Sequence, residues 1–197
     1  MAACWHRAYE QLVQRAAHEV NNALNAVAMN LEVARLRAIP GADAGRVAPF
    51  ATAAAAAHDE LIAMVRPLMA LARGALPADA PGARADVREI AAQVVALLAP
   101  GVRARGGSLV LSAADTAVRT VAPVAAVRTA VAVVLAAATV APAVTVECIV
   151  AAHPTPTLSL APPRPVDLDP AVVRACERAG IRLAAESVAQ TVVFPSA

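Results

Sequence analysis

The sequence predicts an α+β protein in which an N-terminal pair of long helices precedes a small α/β sandwich. The first observation is a stretch without Pro or Gly, from about Trp5 to Arg37, with apolar residues at heptad-like spacing. The second is a segment dense in Pro, Gly and Ala at Gly74–Arg84, which has the composition of a linker. The third is the pattern beyond this segment, where short strand-like runs alternate with helical ones.

The two long helices are predicted to pair with each other and to bring two chains together. The apolar stripe of the first helix forms a predicted packing seam of Val13, Ala17, Val20, Leu24, Val27, Leu31 and Ala34. A connection at Ile39–Pro49 leads to a second helix, about Phe50–Arg73, with a predicted buried face of Leu61, Met64, Val65, Leu68 and Leu71. An antiparallel helical hairpin of this kind cannot cover both of its apolar sides alone. We therefore expect a homodimer in which two hairpins form a four-helix bundle.

The second half of the chain is predicted to place helices on one face of a mixed sheet. Its predicted helices lie at about Asp86–Leu98, Pro123–Thr139 and Asp169–Ala179, with Asp169 as a cap and Pro170 in the first position. Its predicted strands lie at about Ser108–Ser112, Val144–Val150, Thr157–Leu160, Ile181–Glu186 and Thr191–Phe194. The expected domains are the hairpin at residues 1–75, a linker at 76–85 and the α/β domain at 86–197.

Composition argues against a nucleic-acid or membrane partner. The 197 residues include only 2% aromatics and carry a formal net charge of +2, which gives neither base-stacking platforms nor a basic footprint. The uncharged stretch Thr129–Val146 is long, but its Ala, Thr and Pro content indicates a buried helix followed by a strand. The N-terminus has no signal-peptide pattern, so we expect a cytoplasmic protein. The three cysteines, Cys4, Cys148 and Cys176, have no metal-ligand spacing and are expected to be reduced thiols.

The most informative residues lie within the first helix. His18 and Asn22 are four residues apart and share a helix face away from the predicted seam, so His18 should face solvent. A neutral imidazole can attack phosphorus, and a neighbouring carboxylate can stabilise the imidazolium that forms. Glu19 is the candidate for that carboxylate, and Asn22 is a candidate for positioning a water or the phosphoryl group. His58 is a rival, but the residue four positions on is Ile62 rather than a polar group.

The segment His18–Leu24, HEVNNAL, resembles the H-box of two-component sensor histidine kinases, commonly written H-E-x-x-N-P-L. The resemblance extends to the setting of the motif on the first helix of a dimerisation and histidine-phosphotransfer hairpin. The departure is Ala23 where the family usually has Pro, so the helix should be straighter after the phosphoacceptor. In element order the second half is similar to the ATPase-like domain of these kinases.

The nucleotide motifs that this resemblance implies are absent from the sequence. No glycine occurs between Gly107 and Gly180, although the family uses glycine-rich motifs around the nucleotide. The helix that should present a metal-holding Asn carries only Val, Leu and Ala at Val131–Ala138. Ala161–Pro165 stands where the adenine-contacting motif should follow a strand. We therefore expect a degenerate domain, with no cofactor bound by this chain and Mg²⁺ carried by the partner.

The resemblance implies a histidine phosphotransferase of a bacterial phosphorelay. Such a protein accepts a phosphoryl group on His18 from the Asp of a receiver domain and passes it to another response regulator; a hybrid histidine kinase is a further candidate partner. The predicted docking stripe contains Arg15, His18, Asn22, Asn25, Met29 and Glu32, with Val33 and Leu36 as an extension. Two alternatives stay open: a dimeric scaffold or inhibitor that binds a receiver or kinase without catalysis, and a divergent active kinase.

Overall fold

The structure is a computed structural model that describes residues 2–38, 44–73, 84–113, 115–161, 168–185 and 190–196. These residues form an α+β fold with five α-helices and a mixed five-stranded sheet. The helices are α1 (Ala2–Arg37), α2 (Ala48–Arg73), α3 (Val87–Ala104), α4 (Val124–Ala138) and α5 (Pro170–Arg178), with one short 3₁₀ turn at Ala44–Arg46. The strands are β1 (Ala85–Asp86), β2 (Ser108–Ala113), β3 (Arg119–Thr120), β4 (Thr145–Ala151), β5 (Thr157–Ala161), β6 (Arg182–Ala185) and β7 (Gln190–Val193).

The five-stranded sheet has the order β2-β4-β5-β7-β6, with β2 parallel to β4 and the other neighbours antiparallel. The separate strands β1 and β3 form a short antiparallel ribbon. Gly107 leads the chain from α3 into β2, and a Cβ atom there would lie 2.3 Å from the Val144 carbonyl oxygen. Only glycine fits this close approach.

Helices cover one face of the sheet. Along β4 the side chains alternate, with Val146, Cys148 and Val150 buried beneath the helices and Glu147 and Ile149 on the exposed face. Burial raises the pKa of the Cys148 thiol to about 12, so this cysteine stays protonated near neutral pH. The largest side chains of this core are fully buried: Leu135, Leu158, Leu160, Ile181 and Phe194.

The first two helices lie along each other and also pack against α3 and α4. Ala8, Leu12 and Ala16 of α1, together with Leu71 of α2, belong to the same buried cluster as the α/β core. The side chains of Leu12 and Leu71 are completely buried. The α1–α2 pair therefore shares a core with the α/β part of the chain, which the sequence pattern does not predict.

Most of the predicted elements lie within a few residues of the observed ones. The exceptions are β1 and β3, which are too short to give a periodic signal, and α3, which continues through Pro100 and Gly101 to Ala104. Asp86 and Asp169 cap α3 and α5, as expected for Asp before a helix. The predicted linker at 76–85 lies outside the described ranges up to residue 83, and its last residue, Ala85, belongs to β1. No helix in the described ranges combines the length and the apolarity needed to cross a membrane.

Candidate functional site

His18 lies midway along α1 and its side chain is exposed. It makes no hydrogen bond or ion pair with any other described residue. Asn22 and Asn25 follow it on the same stripe of the helix, and both are exposed. The imidazole is therefore accessible to a partner molecule along one unobstructed face of α1.

Farther along the stripe, α1 presents an apolar side chain beside an ion pair. Met29 is 70% exposed, which is unusual for a large apolar side chain. Glu32 accepts two hydrogen bonds from Arg35, with N–O distances of 2.8 and 2.6 Å. These hydrogen bonds lower the pKa of the Glu32 carboxyl. The stripe thus combines one exposed apolar side chain with a fixed carboxylate.

Arg15 is turned toward α4. Its Nη1 donates a hydrogen bond to the backbone carbonyl of Ala136, in the last turn of that helix. Burial of the guanidinium, and then the charge of Arg105, lower the pKa of Arg15. Of the residues assigned to the docking stripe by the sequence, Arg15 is the one held by a bond to the α/β part of the chain.

Glu19 is half-buried and faces α3 rather than His18. A Cβ atom added at Gly101 would lie 3.3 Å from both Cγ and Oε1 of Glu19, and 3.5 Å from Nη1 of Arg105. No hydrogen bond joins Glu19 to His18 in the structure, because consecutive side chains leave a helix about 100° apart. The structure brings His18 and Asn22 together on one face and places Glu19 beside α3.

Two arginines meet at the end of α4, a feature that the sequence does not reveal. Arg15 reaches the carbonyl of Ala136, and Arg105 donates from Nη2 to the carbonyl of Thr139 at 3.1 Å. Cations stabilise the last carbonyls of a helix, which carry the negative end of its dipole. The last turn of α4 has no basic residue of its own, and this is the only sign in the sequence that cations from elsewhere cover its carbonyls. Arg15 and Arg105 themselves come from distant segments.

A cavity of about 520 Å³ lies between α1, the second half of α4 and the start of α5. Here α4 contributes small apolar side chains, including Val133, Ala136 and Ala137, while α1 covers the cavity with Gln11 and Gln14. The Asp169 carboxylate at the rim accepts a hydrogen bond from the Ala171 amide at 2.7 Å.

The other histidines have different surroundings. His58 is exposed on α2, with Nδ1 lying 3.8 Å from Oδ1 of Asp59. In the first turns of α1, Nε2 of His6 lies 3.2 Å from Oε1 of Glu10. His153 is exposed in the connection between β4 and β5. Within the described ranges, no three His, Cys, Asp or Glu side chains are grouped so that they could hold a metal ion.

No protein-family model and no curated protein matches this chain. The functional interpretation therefore depends on the H-box-like residues of α1, the exposure of His18 and the composition of α4.

Proposed function

We propose that the protein is a histidine phosphotransferase of a two-component phosphorelay, with His18 as the phosphoacceptor. The observation that carries this proposal is the exposed, unpaired imidazole on a long helix, with Asn22 one turn on and an open helix face around both. A receiver domain needs such a face, because its phosphorylated Asp must approach the imidazole directly. Docking of a helix face into a partner groove is a common mode of recognition.

The chemistry follows from the neutral imidazole. One ring nitrogen of His18 attacks the phosphorus of the receiver's aspartyl phosphate, an N–P bond forms, and the P–O bond to the aspartate breaks and leaves a carboxylate. The proton on the other ring nitrogen stays, so the product is a phosphoimidazolium. A second receiver's aspartate reverses these steps and restores the neutral imidazole. Mg²⁺ belongs to the receiver in this scheme.

Glu19 and Asn22 support the transfer in different ways. Glu19 is adjacent to His18 in sequence, and its carboxylate can stabilise the imidazolium once it turns from α3 toward the ring. Asn22 is already on the face of His18, where its carboxamide can hold the phosphoryl oxygens. General acid–base assistance of this kind contributes about 10²- to 10⁴-fold to the rate.

The composition of α4 supports transfer without a kinase reaction of its own. Val131–Ala138 offers no oxygen or nitrogen side chain for a metal-bound triphosphate. The neighbouring cavity is lined largely by small apolar side chains and is partly covered by α1. The phosphoryl group must then come from another protein, which favours a receiver as donor.

We place the receiver-docking surface on Asn22, Asn25, Met29 and Glu32, around His18. Leu36 continues the same stripe and is 60% exposed. Exposed apolar side chains flanked by polar ones suit a surface that becomes buried when a partner binds. Arg15 lies at the edge of this surface, where its bond to Ala136 ties the docking helix to the α/β domain.

We also propose that the α1–α2 pair forms a four-helix bundle with a second copy. Leu24 and Leu31 of the predicted seam are 47% and 53% exposed, and α2 exposes Val65 and Met69 by 38% and 48%. The seam lies about a third of a turn from the buried positions of α1, Leu12 and Ala16, so α1 has two apolar faces. One faces the α/β core, and the other is available to a second chain.

The double variant Leu24→Glu/Leu31→Glu is expected to convert the dimer to a monomer, because four charges would enter the apolar seam of the bundle. Light scattering coupled to size exclusion at micromolar concentration measures the mass. Met29→Glu is the control: it adds a charge at another exposed apolar position of α1, on the docking stripe rather than the seam, and the dimer should persist. A monomeric wild-type protein would contradict the bundle.

The function itself is tested by mixing the purified protein, without ATP, with receiver domains phosphorylated on Asp. Acid-labile, alkali-stable label is expected on His18 within minutes from a subset of receivers. Binding of receivers without any label would instead identify a scaffold or inhibitor. Label that arises from ATP with the protein alone would identify an active kinase.

A further inference from the structure

A second cleft, at the opposite end of α3 and α4 from Glu19, has a different character from the site around His18. It encloses about 620 Å³ between the β1–β3 ribbon and the first turns of the two helices. Its lining residues are Arg84, Ala85, Asp86, Glu89, Ile90, Gln93, Arg119, Val124 and Arg128. Asp86 lies at this cleft, and Gly101, which lies beside Glu19, is 15 positions farther along α3. At the helical rise per residue, about 20 Å separates the cleft from Glu19.

Two arginines of the cleft stand on the same face of the ribbon. Ala85 pairs with Thr120 and Asp86 with Arg119, and the side chains of Ala85 and Thr120 are buried. Because strand side chains alternate, Arg84 and Arg119 project from the opposite, exposed face. Neither arginine makes a hydrogen bond or ion pair with a described residue. Both guanidinium groups therefore line the cleft on the face that also carries Asp86, and neither forms a salt bridge with a described carboxylate.

The two carboxylates of the cleft accept hydrogen bonds from neutral groups rather than from its arginine side chains. Oδ1 of Asp86 accepts hydrogen bonds from the backbone amides of Arg88, Glu89 and Val118 at 3.0 to 3.4 Å. Oε1 of Glu89 accepts from Nε2 of Gln93 at 3.3 Å. The Asp86 carboxylate therefore caps α3 and holds the ribbon at Val118, and it forms no salt bridge with the Arg119 side chain opposite it.

Two further features of the cleft favour an anion that also carries a hydrogen-bond donor. The 15-residue helix α4 begins here at Val124, with Pro123 as its N-cap, no side-chain cap and no acidic residue in its first turn. Oε1 of Gln93 is buried and has no hydrogen-bond partner among the described residues. Unpaired amides at a helix start attract anions, and a buried unpaired acceptor needs a donor.

We infer that this cleft binds a small phosphate-bearing molecule of the nucleotide class. The phosphate would lie between Arg84, Arg119 and the start of α4, since guanidinium groups and free amides are the usual phosphate partners. Ile90 and Val124 supply apolar surface for a ring, and the volume lies within the range of small-molecule sites. The site is separate from the cavity at the other end of α4 and goes beyond the proposed phosphotransfer.

Titration calorimetry with pyrophosphate and with ATP, both without Mg²⁺, tests the inference on the full chain. Saturable binding with a Kd of about 1 mM or tighter is expected, and Arg84→Gln/Arg119→Gln should weaken it at least about tenfold. Neither arginine makes a hydrogen bond or ion pair with a described residue, so the double variant should unfold at the wild-type temperature. Arg103→Gln removes an exposed arginine from the other end of α3 and should leave binding unchanged.

Amide chemical shifts locate the binding. Perturbations at Val124 and Ala125 are expected, whereas perturbations at Ala136 and Ala137 would place the ligand in the other cavity and overturn the inference. Absence of saturable binding by either probe would overturn it as well, as would an equal loss of affinity in Arg103→Gln. Binding of an acidic peptide, but of neither phosphate compound, would show a protein-docking surface instead.

Discussion

Replacement of His18 by alanine is expected to abolish phosphoryl transfer from every receiver, with residual labelling at least about 10³-fold below that of the wild type. The expected loss is this large because the imidazole nitrogen forms the covalent bond to phosphorus, and no other side chain of the docking stripe is an imidazole. The His18 side chain is exposed and makes no hydrogen bond or ion pair with a described residue, so its removal should change the free energy of unfolding by less than about 0.5 kcal/mol.

The measurement is the rate at which label moves from a phosphorylated receiver to the protein, followed after alkaline and acid treatment. His58→Ala is the matched control, since His58 is also an exposed helix histidine with an acidic neighbour. It should transfer at the wild-type rate. Retained transfer in His18→Ala, or its loss in His58→Ala, would move the phosphoacceptor away from the H-box-like motif.

Replacement of Leu12 by alanine is expected to lower the free energy of unfolding by about 2–5 kcal/mol. The side chain of Leu12 is completely buried and belongs to the cluster that α1 shares with α3 and α4. Truncation therefore removes apolar contacts and leaves a cavity where the long helix meets the α/β core. A loss of this size is a large fraction of the stability of a typical domain.

Urea unfolding at one fixed protein concentration measures this change, because the proposed dimerisation would make stability depend on concentration. Leu24→Ala is the matched control for the same chemical change on the same helix. Leu24 is about half exposed within one chain, so its truncation should cost clearly less than that of Leu12. Both truncations are compared in the Leu31→Glu background, which places a charge in the seam of each chain to oppose dimerisation. Equal and small effects of the two truncations would mean that α1 does not share a core with the α/β domain.

The consequences for function differ between these two variants. His18→Ala tests the chemistry in an intact fold, whereas Leu12→Ala tests the packing that keeps α1 against the α/β domain. Arg15 connects the two, since it lies between Leu12 and His18 in sequence and its guanidinium bonds to the end of α4. The helix that carries the candidate phosphoacceptor is thus bonded directly to α4 of the α/β part of the chain.

The sequence by itself determined most of the secondary structure and the location of the candidate phosphoacceptor. Long helices and strands leave a periodic apolar pattern, so the bounds of α1, α2 and β4 are predictable within a few residues. The helix α4 is apolar on all sides and is predictable from its long uncharged stretch instead. The exposure of His18 also follows from local geometry, because its position relative to the apolar stripe fixes its direction on the helix. The two-residue strands β1 and β3 are too short to carry such a pattern.

Only the tertiary structure decided what surrounds these elements. The second apolar face of α1 at Leu12, and the placement of Glu19 against Gly101, depend on which helices meet it. The bond between Arg15 and Ala136 joins residues 121 positions apart, and the charged cleft brings Arg84 and Arg119 together through two short strands. A periodic pattern indicates which side of a helix or strand is buried, but it does not indicate which distant segment covers that side. The covering segment is determined by packing and hydrogen bonding across the whole fold.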